Sequence, residues 1–313
     1  MSQLPSLAGA VEFYLQSRRQ LGFTCRNEQW ALTGLARHAK RIGHRGPLTR
    51  SLAIGWAGGS SQAGPPQRAR RLNMVIRFAR FWQAFDARTE LPPPGFFGPV
   101  QRRRPAHIYT AQEIRALLEA TAVLGPREQL RAASMRALLG LLACTGLRVG
   151  EALCLNRQDL DWHNGTLNVR RSKSGHQRLI PVRASAVAAL RAYAVLRDQN
   201  LPAASSNEAF FLSSTGRRLP YGTVRDSFLL LRRHLNWAQR PAPRLHDLRH
   251  TFAVRCLLGW CQRHQPIGPR ILTLSTYLGH RQVTDTYWYL SAVPELMALA
   301  RNHLQTSARS NPL

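Results

Sequence analysis

In Thr145-Gly146-Leu147-Arg148-Val149-Gly150-Glu151 an arginine follows directly on a glycine turn, where the pattern opens a short helix. Helix starts present unpaired amides and the positive end of a dipole, so Arg148 is well placed to hold a phosphate. It is equally well placed to pair with Glu151 one turn on. In His246-Asp247-Leu248-Arg249-His250 the spacing of three puts His246 and Arg249 on one helix face. Leu278-Gly279-His280 reads as a helix stopped by glycine, after which a histidine is ordinarily a cap or a core residue. Thr286-Tyr287-Trp288-Tyr289 is an aromatic cluster of a kind that usually packs. Lys173 stands between two strand-like runs, where a lone lysine is usually just solvated. It is conspicuous because Lys40 is the only other lysine in a chain that uses arginine almost everywhere.

These residues need a scaffold, and the chain is long enough to build one with a substantial core. The stretch Leu91-Pro92-Pro93-Pro94-Gly95-Phe96-Phe97-Gly98-Pro99, with Arg102-Arg103-Arg104-Pro105 behind it, cannot continue a helix and predicts a linker over 91–106. Residues 1–90 then form a small helical domain, with helices expected at about 7–21, 27–42 and 66–85. In the last of these, Leu72, Val75, Ile76, Ala79 and Trp82 make a core stripe. Arg70, Arg77 and Arg80 fall opposite, as a solvated face or a DNA-binding one. Residues 107–313 read as mainly helical, opened by a Thr110/Glu113 capping box over 111–122 and a longer helix from Pro126 to Cys144. Further helices are expected at about 184–198, 221–237, 245–262, 268–278 and 293–305. The exception is Thr166 to Val182, where Leu167 and Val169 alternate with polar residues and Ser174-Gly175 turns the chain: a β-hairpin with Lys173 at its tip. The fold class expected is mainly α with a small β-sheet or hairpin, in two domains.

Charge selects the partner class. There are 44 basic and 16 acidic residues, a net of +28. Residues 1–106 hold 17 basic and 4 acidic, so the excess is not one detachable tail. Both halves should face a polyanion, most simply double-stranded DNA held in a clamp. No run of about 18 apolar residues occurs, and Glu12, Arg18 and Arg19 interrupt the start, so neither a membrane span nor a secretory signal is expected. Five cysteines without a CxxC pair or zinc spacing predict reduced thiols in a cytoplasmic protein and no metal site. The absence of a GxxxxGK[ST] motif and of a clear acidic cluster predicts that no cofactor, ATP or divalent metal is needed.

Taken in order, Arg148, Lys173, His246, Arg249, His280 and Tyr289 resemble the catalytic set of the tyrosine recombinase (phage integrase) family. The likeness is strong over residues 100–305, and the interval of 31 positions from Arg249 to His280 is longer than in its compact housekeeping members. The resemblance implies an α-rich catalytic domain at 107–313 joined to a helical core-binding domain, closing on duplex DNA. It implies that Arg148 and Arg249 bind the phosphate oxygens, that Tyr289 attacks phosphorus, and that Lys173 protonates the leaving 5′ oxygen. His246 and His280 would assist proton movement. Tyr289, nine residues after His280, stands at the family's nucleophile offset, whereas Tyr287 does not. A phosphodiester resists nucleophiles because it is an anion, and two arginines with two histidines neutralise it without metal.

The run Tyr287 to Leu296 is similar to endings of integrases carried by mobile elements. The family also implies four protomers on two DNA sites, with the segment from Val293 to about Gln305 donated to a neighbour. The rival readings are a type IB-like topoisomerase, which reseals the same strand, and a DNA-binding protein without catalysis.

Overall fold

The computed structural model describes residues 5–59, 63–100, 105–125, 129–170, 177–201, 207–238, 242–263, 265–280 and 282–291. Lys173 and the segment from Val293 to Gln305 lie outside the described residues. The chain divides into two compact units, Met1–Arg103 and Arg104–Leu313.

In the first unit, α1 (Leu7–Gln20) starts where the Ser6 side chain accepts from the Gly9 amide. It is followed by α2 (Arg26–Arg41), α3 (Arg50–Gly58) and α4 (Pro65–Trp82), the last beginning with a proline whose missing N–H costs nothing there. Leu72, Val75, Ile76, Ala79 and Trp82 are buried together with Leu15, Leu32 and Leu35. Arg70, Arg77 and Arg80 are exposed. Helix α3 escapes the sequence pattern because its glycines argue against a helix. The Thr49 cap on the Leu52 amide and the burial of Leu52, Ala53, Trp56 and Ala57 offset that penalty. The start of the proline-rich stretch is also packed rather than free. Leu91 and Phe97 lie on this unit's core, and the Arg50 amide donates to Glu90 Oε2 at 2.7 Å.

The second unit opens with the Thr110/Glu113 capping box on α5 (Ala111–Glu119) and a tighter turn over Ala120–Leu124. Helix α6 (Gln129–Thr145) buries residues on every side, including Leu130, Leu138, Leu139 and Leu142, as a central helix must. After α7 (Val149–Leu153) come β1 (Leu160–Asp161), β2 (Thr166–Val169) and β3 (Arg178–Pro181). They form one antiparallel sheet in that order, with Leu167 opposite both Leu160 and Ile180. The sheet therefore has one strand more than the expected hairpin, since two residues are too few for an alternation to register.

Helices α8 (Ala184–Asn200) and α9 (Tyr221–His234) complete the larger core, with Phe210, Phe211 and Leu231 buried against α6 residues. A smaller core joins α10 (Asp247–Gln262), α11 (Ile267–Leu278) and α12 (Thr284–Ser291) through Val254, Leu257, Ile271, Leu274 and Tyr289. Among the described residues no helix is long and apolar enough to cross a membrane.

Candidate active site

Two glycines in left-handed conformations set the geometry. Gly146 (φ 63°) ends α6, and a Cβ there would stand 2.5 Å from Phe252 Cδ1, so only glycine lets the chain turn tightly against α10. Gly279 (φ 67°) ends α11, and a Cβ there would meet the Arg178 guanidinium at 2.8 Å. Both turns aim carbonyls inward. Arg249, 2% exposed on the first turn of α10, spans the gap between them. Its Nη1 donates to the Gly146 carbonyl at 2.9 Å and its Nη2 to the Leu278 carbonyl at 2.7 Å.

Arg148 stands at the N-cap of α7, where the sequence pattern expected it, and it makes the expected pair with Glu151. Its Nη1 donates to Glu151 Oε1 at 2.9 Å, and Nη1 and Nη2 donate to the Gly279 carbonyl at 3.2 and 3.3 Å. Its backbone amide donates to Glu151 Oε2 at 3.1 Å. Glu151 is 5% exposed. Burial alone would raise its carboxyl, but Arg178 and Arg148 outweigh it and hold the pKa below the ordinary carboxylate value.

Tyr289 lies on α12 with its ring stacked on His280, centroids 5.9 Å apart, and edge-on to His250 at 5.4 Å. It is 3% exposed, whereas Tyr287 is 53% exposed. His280 follows the Gly279 turn and pairs through Nδ1 with Thr286 Oγ1 at 2.7 Å, tying the end of α11 to α12. His246 stands at the N-cap of α10 with an exposed edge, its ring T-shaped against His250 at 4.8 Å. Asp247 beside it is buried and accepts from the Arg244 amide and guanidinium, which fixes the helix entry. Arg148, His246, Arg249, His280 and Tyr289 thus meet in the second unit; Lys173 is not among the described residues.

The cluster is strongly cationic and every imidazole responds. Burial, reinforced by Arg249 and Arg148, pushes His280 down to about 4. Burial with His246 and nearby arginines pushes His250 down to about 3. His246 is lowered by the protein packed around its ring and by Arg249. Burial also lowers Arg249 to about 10, with Tyr289 acting in the opposite sense, so it remains a cation at neutral pH. In the unfolded chain these imidazoles take up protons near the ordinary histidine value of about 6.5, so below that pH the unfolded state binds more protons than the folded one. Stability should therefore fall as pH drops from about 6.5 towards 4, with the urea midpoint lower near about pH 5 than near about pH 7. Replacing His280 by glutamine should narrow that difference; an unaltered difference would mean that His280 is already charged in the folded state.

Several contributors were not singled out from sequence. Arg178 on β3 and His250 sit among the site residues, and only the Arg249-His250 adjacency offered a signal for either. In the first unit Arg77 is exposed but pairs with Glu28 at 3.0 Å. Arg71 lies over the rings of Trp30 and Trp56, at 5.2 and 4.9 Å from their centroids. With Arg37, His38 and Arg41 it lines a cleft of about 360 Å³. The repeat of Arg37 and Arg41 one helical turn apart was a legible hint of that basic face.

Comparison with known proteins places the chain in a family. The phage integrase family matches residues 108–295, most of the second unit. The y4rB protein of Sinorhizobium fredii, which carries the name integrase/recombinase, is 37% identical over 304 residues, covering 95% of this chain and 96% of its own length. The tyrosine recombinase XerD of Brucella abortus is 28% identical over 295 residues, covering 92% of this chain and 89% of its own. Among solved structures, the Tn1549 transposon integrase in complex with transposon right end DNA shares the fold, with a TM-score of 0.65 at 17% identity, over 96% of this chain and 99% of that one. With a match across most of one unit and a relative aligned over nearly its whole length, this chain belongs to the phage integrase family, the tyrosine recombinases that cleave and rejoin DNA.

Proposed function

We propose that this chain is a site-specific recombinase of a mobile element, cutting and rejoining duplex DNA through a 3′-phosphotyrosyl link to Tyr289. The observation that carries the reading is the meeting of two guanidiniums, Arg148 and Arg249, with the His280 and Tyr289 rings around the Gly146 and Gly279 turns. Arg148 and Arg249 bind the non-bridging oxygens of the scissile phosphate and stabilise its pentacoordinate transition state. Tyr289 gives up its phenolic proton, its oxygen bonds to phosphorus, and the bond to the 5′ oxygen breaks. Lys173 delivers the proton to that oxygen, leaving a free 5′-hydroxyl. Held neutral by their surroundings, His246 and His280 are available to accept and pass protons. Attack by a 5′-hydroxyl of another strand reverses each step and joins the strands, with the phosphate ester conserved throughout. Because Tyr289 is 3% exposed, the reaction requires α12 to shift outward when DNA enters.

Arg70, Arg77 and Arg80 are proposed as backbone contacts on the first unit, with Arg77 having to exchange Glu28 for a phosphate. Four protomers on two sites form the active assembly, in a cytoplasmic setting. The duplex for the test is to be sought in the DNA flanking the gene, as inverted repeats around a short spacer. Lys173→Ala should slow cleavage of the natural phosphodiester but much less that of a substrate with a 5′-thiolate leaving group, which needs no proton. Lys173→Arg should not restore the rate, since guanidinium, with a pKa above about 12, is a poor proton donor. Equal slowing of both substrates would remove Lys173 from this role. Exchange between two paired sites, and not merely relaxation of a one-site supercoiled plasmid, separates a recombinase from a topoisomerase.

A further inference from the structure

Arg178 lies on β3, outside the family set carried over from sequence, yet it is wired into the phosphate site at three atoms. Its Nη2 and Nη1 donate to Glu151 Oε2 and Oε1 at 2.7 and 3.3 Å, and its Nε donates to the Tyr277 carbonyl at 2.8 Å. Its guanidinium lies against Gly279 so closely that a Cβ there would meet it. Both oxygens of Glu151 are thereby engaged by a side chain other than Arg148. Arg148 spends one Nη1 bond on Glu151 and directs its Nη1 and Nη2 ends at the Gly279 carbonyl. Its Nε–H and the outer N–H of Nη2 have no partner among the described residues. Those two parallel donors form the edge that matches two oxygens of a phosphate.

We infer that Arg178 is a positioning residue for the reaction: by occupying Glu151 and fixing the Tyr277–Gly279 turn, it keeps the Nε/Nη2 edge of Arg148 free for the scissile phosphate. The inference rests on the reading of Arg148 as a phosphate-binding residue. Its physical basis is competition. A buried carboxylate attracts whatever cation is in reach, and without Arg178 the nearest is Arg148. Arg148 would then close its free edge on Glu151, and the site would lose one positive charge together with the geometry that recognises the anion. With Glu151 neutral there is nothing to compete for Arg148, so Arg178 should cease to matter.

The test uses the full chain as wild type, Arg178→Gln, Glu151→Gln, and the double variant. The Arg148 guanidinium Nε–H resonance, assigned by its disappearance in Arg148→Lys, is followed as inorganic phosphate is added. It should shift in the wild type, fail to shift in Arg178→Gln, and shift again in the double variant. The rate of covalent attachment to a nicked duplex carrying the target site should follow the same order, about a hundredfold lower in Arg178→Gln. Duplex affinity on a native gel should stay near that of the wild type.

A lesion that merely loosened the fold would not be cured by removing a second buried partner. If Arg178→Gln does not fold, the comparison of Glu151→Gln with the double variant still decides, because both buried charges are gone together in the latter. The two should respond to phosphate alike, and a further loss on removing Arg178 would overturn the inference. So would a wild-type response in Arg178→Gln, or a wild type whose Arg148 ignores phosphate. An Arg178-dependent phosphate response in a wild type that forms no adduct would leave this inference standing and sink the recombinase reading instead.

Discussion

Tyr289→Phe should bind the target duplex as the wild type does and form no covalent adduct on a nicked substrate, a loss of at least about three orders of magnitude. Tyr287→Phe should still form it. The two residues are two apart on α12, which turns them to opposite sides of the helix. Tyr289 faces inward against His280, His250 and Arg249, while Tyr287 faces solvent. On exposure alone Tyr287 would be the better candidate. Under the proposed function a nucleophile must meet the phosphate where the guanidiniums would hold it, and of these two tyrosines it is Tyr289 that lies beside Arg249. Loss of one buried hydroxyl costs on the order of 1 kcal/mol, too little to unfold a domain of this size, so the missing adduct would be a chemical defect. Retention of the adduct by Tyr289→Phe with its loss in Tyr287→Phe would reverse the assignment. The adduct is read on a denaturing gel as DNA that enters only after proteolysis.

Arg249→Lys should reduce cleavage by about a hundredfold to a thousandfold while leaving duplex affinity nearly unchanged. Arg249 uses separate nitrogens to bridge carbonyls from two turns, 103 and 29 residues away in the chain. A lysine ammonium can reach one of them. The other is left as a buried acceptor without a donor, costing about 1–3 kcal/mol and loosening the spacing of the Gly146 and Gly279 turns. The planar fork that would grip two phosphate oxygens is lost as well, whereas most of the duplex contact area is untouched. Single-turnover cleavage and native-gel affinity on one duplex separate the two effects. A rate equal to the wild type would mean that charge alone suffices at this position, and the bidentate role would fall.

Much of this could be read from the chain itself. The glycine before Arg148 and the one before His280 announced turns; both are left-handed, and a side chain at either place would also strike Phe252 or Arg178. The capping box at Thr110 and Glu113 is local chemistry and appears as written. The apolar stripe of α4 follows from helical periodicity, which depends on nothing distant. Charge excess pointed to a polyanion, because electrostatics at long range depends on composition more than on fold.

Other features depend on neighbours that a sequence pattern does not contain. Helix α3 forms against its own glycines because burying Leu52 and Trp56 outweighs their cost. Two-residue β1 exists only as the partner of β2. Helix α12 was not expected as a helix: the family offset picked out Tyr289 over Tyr287, but the helical register that turns Tyr289 inward and Tyr287 to solvent comes from the structure. Within the site, residue types and order were legible, while the wiring was not. Glu151 could be paired with Arg148 from their spacing of three, but nothing local shows that Arg178, 27 positions on, also holds it. Tertiary structure decided how Arg148 and Arg178 share the carboxylate, because hydrogen bonds are settled by distances of a few tenths of an ångström between segments the sequence keeps far apart.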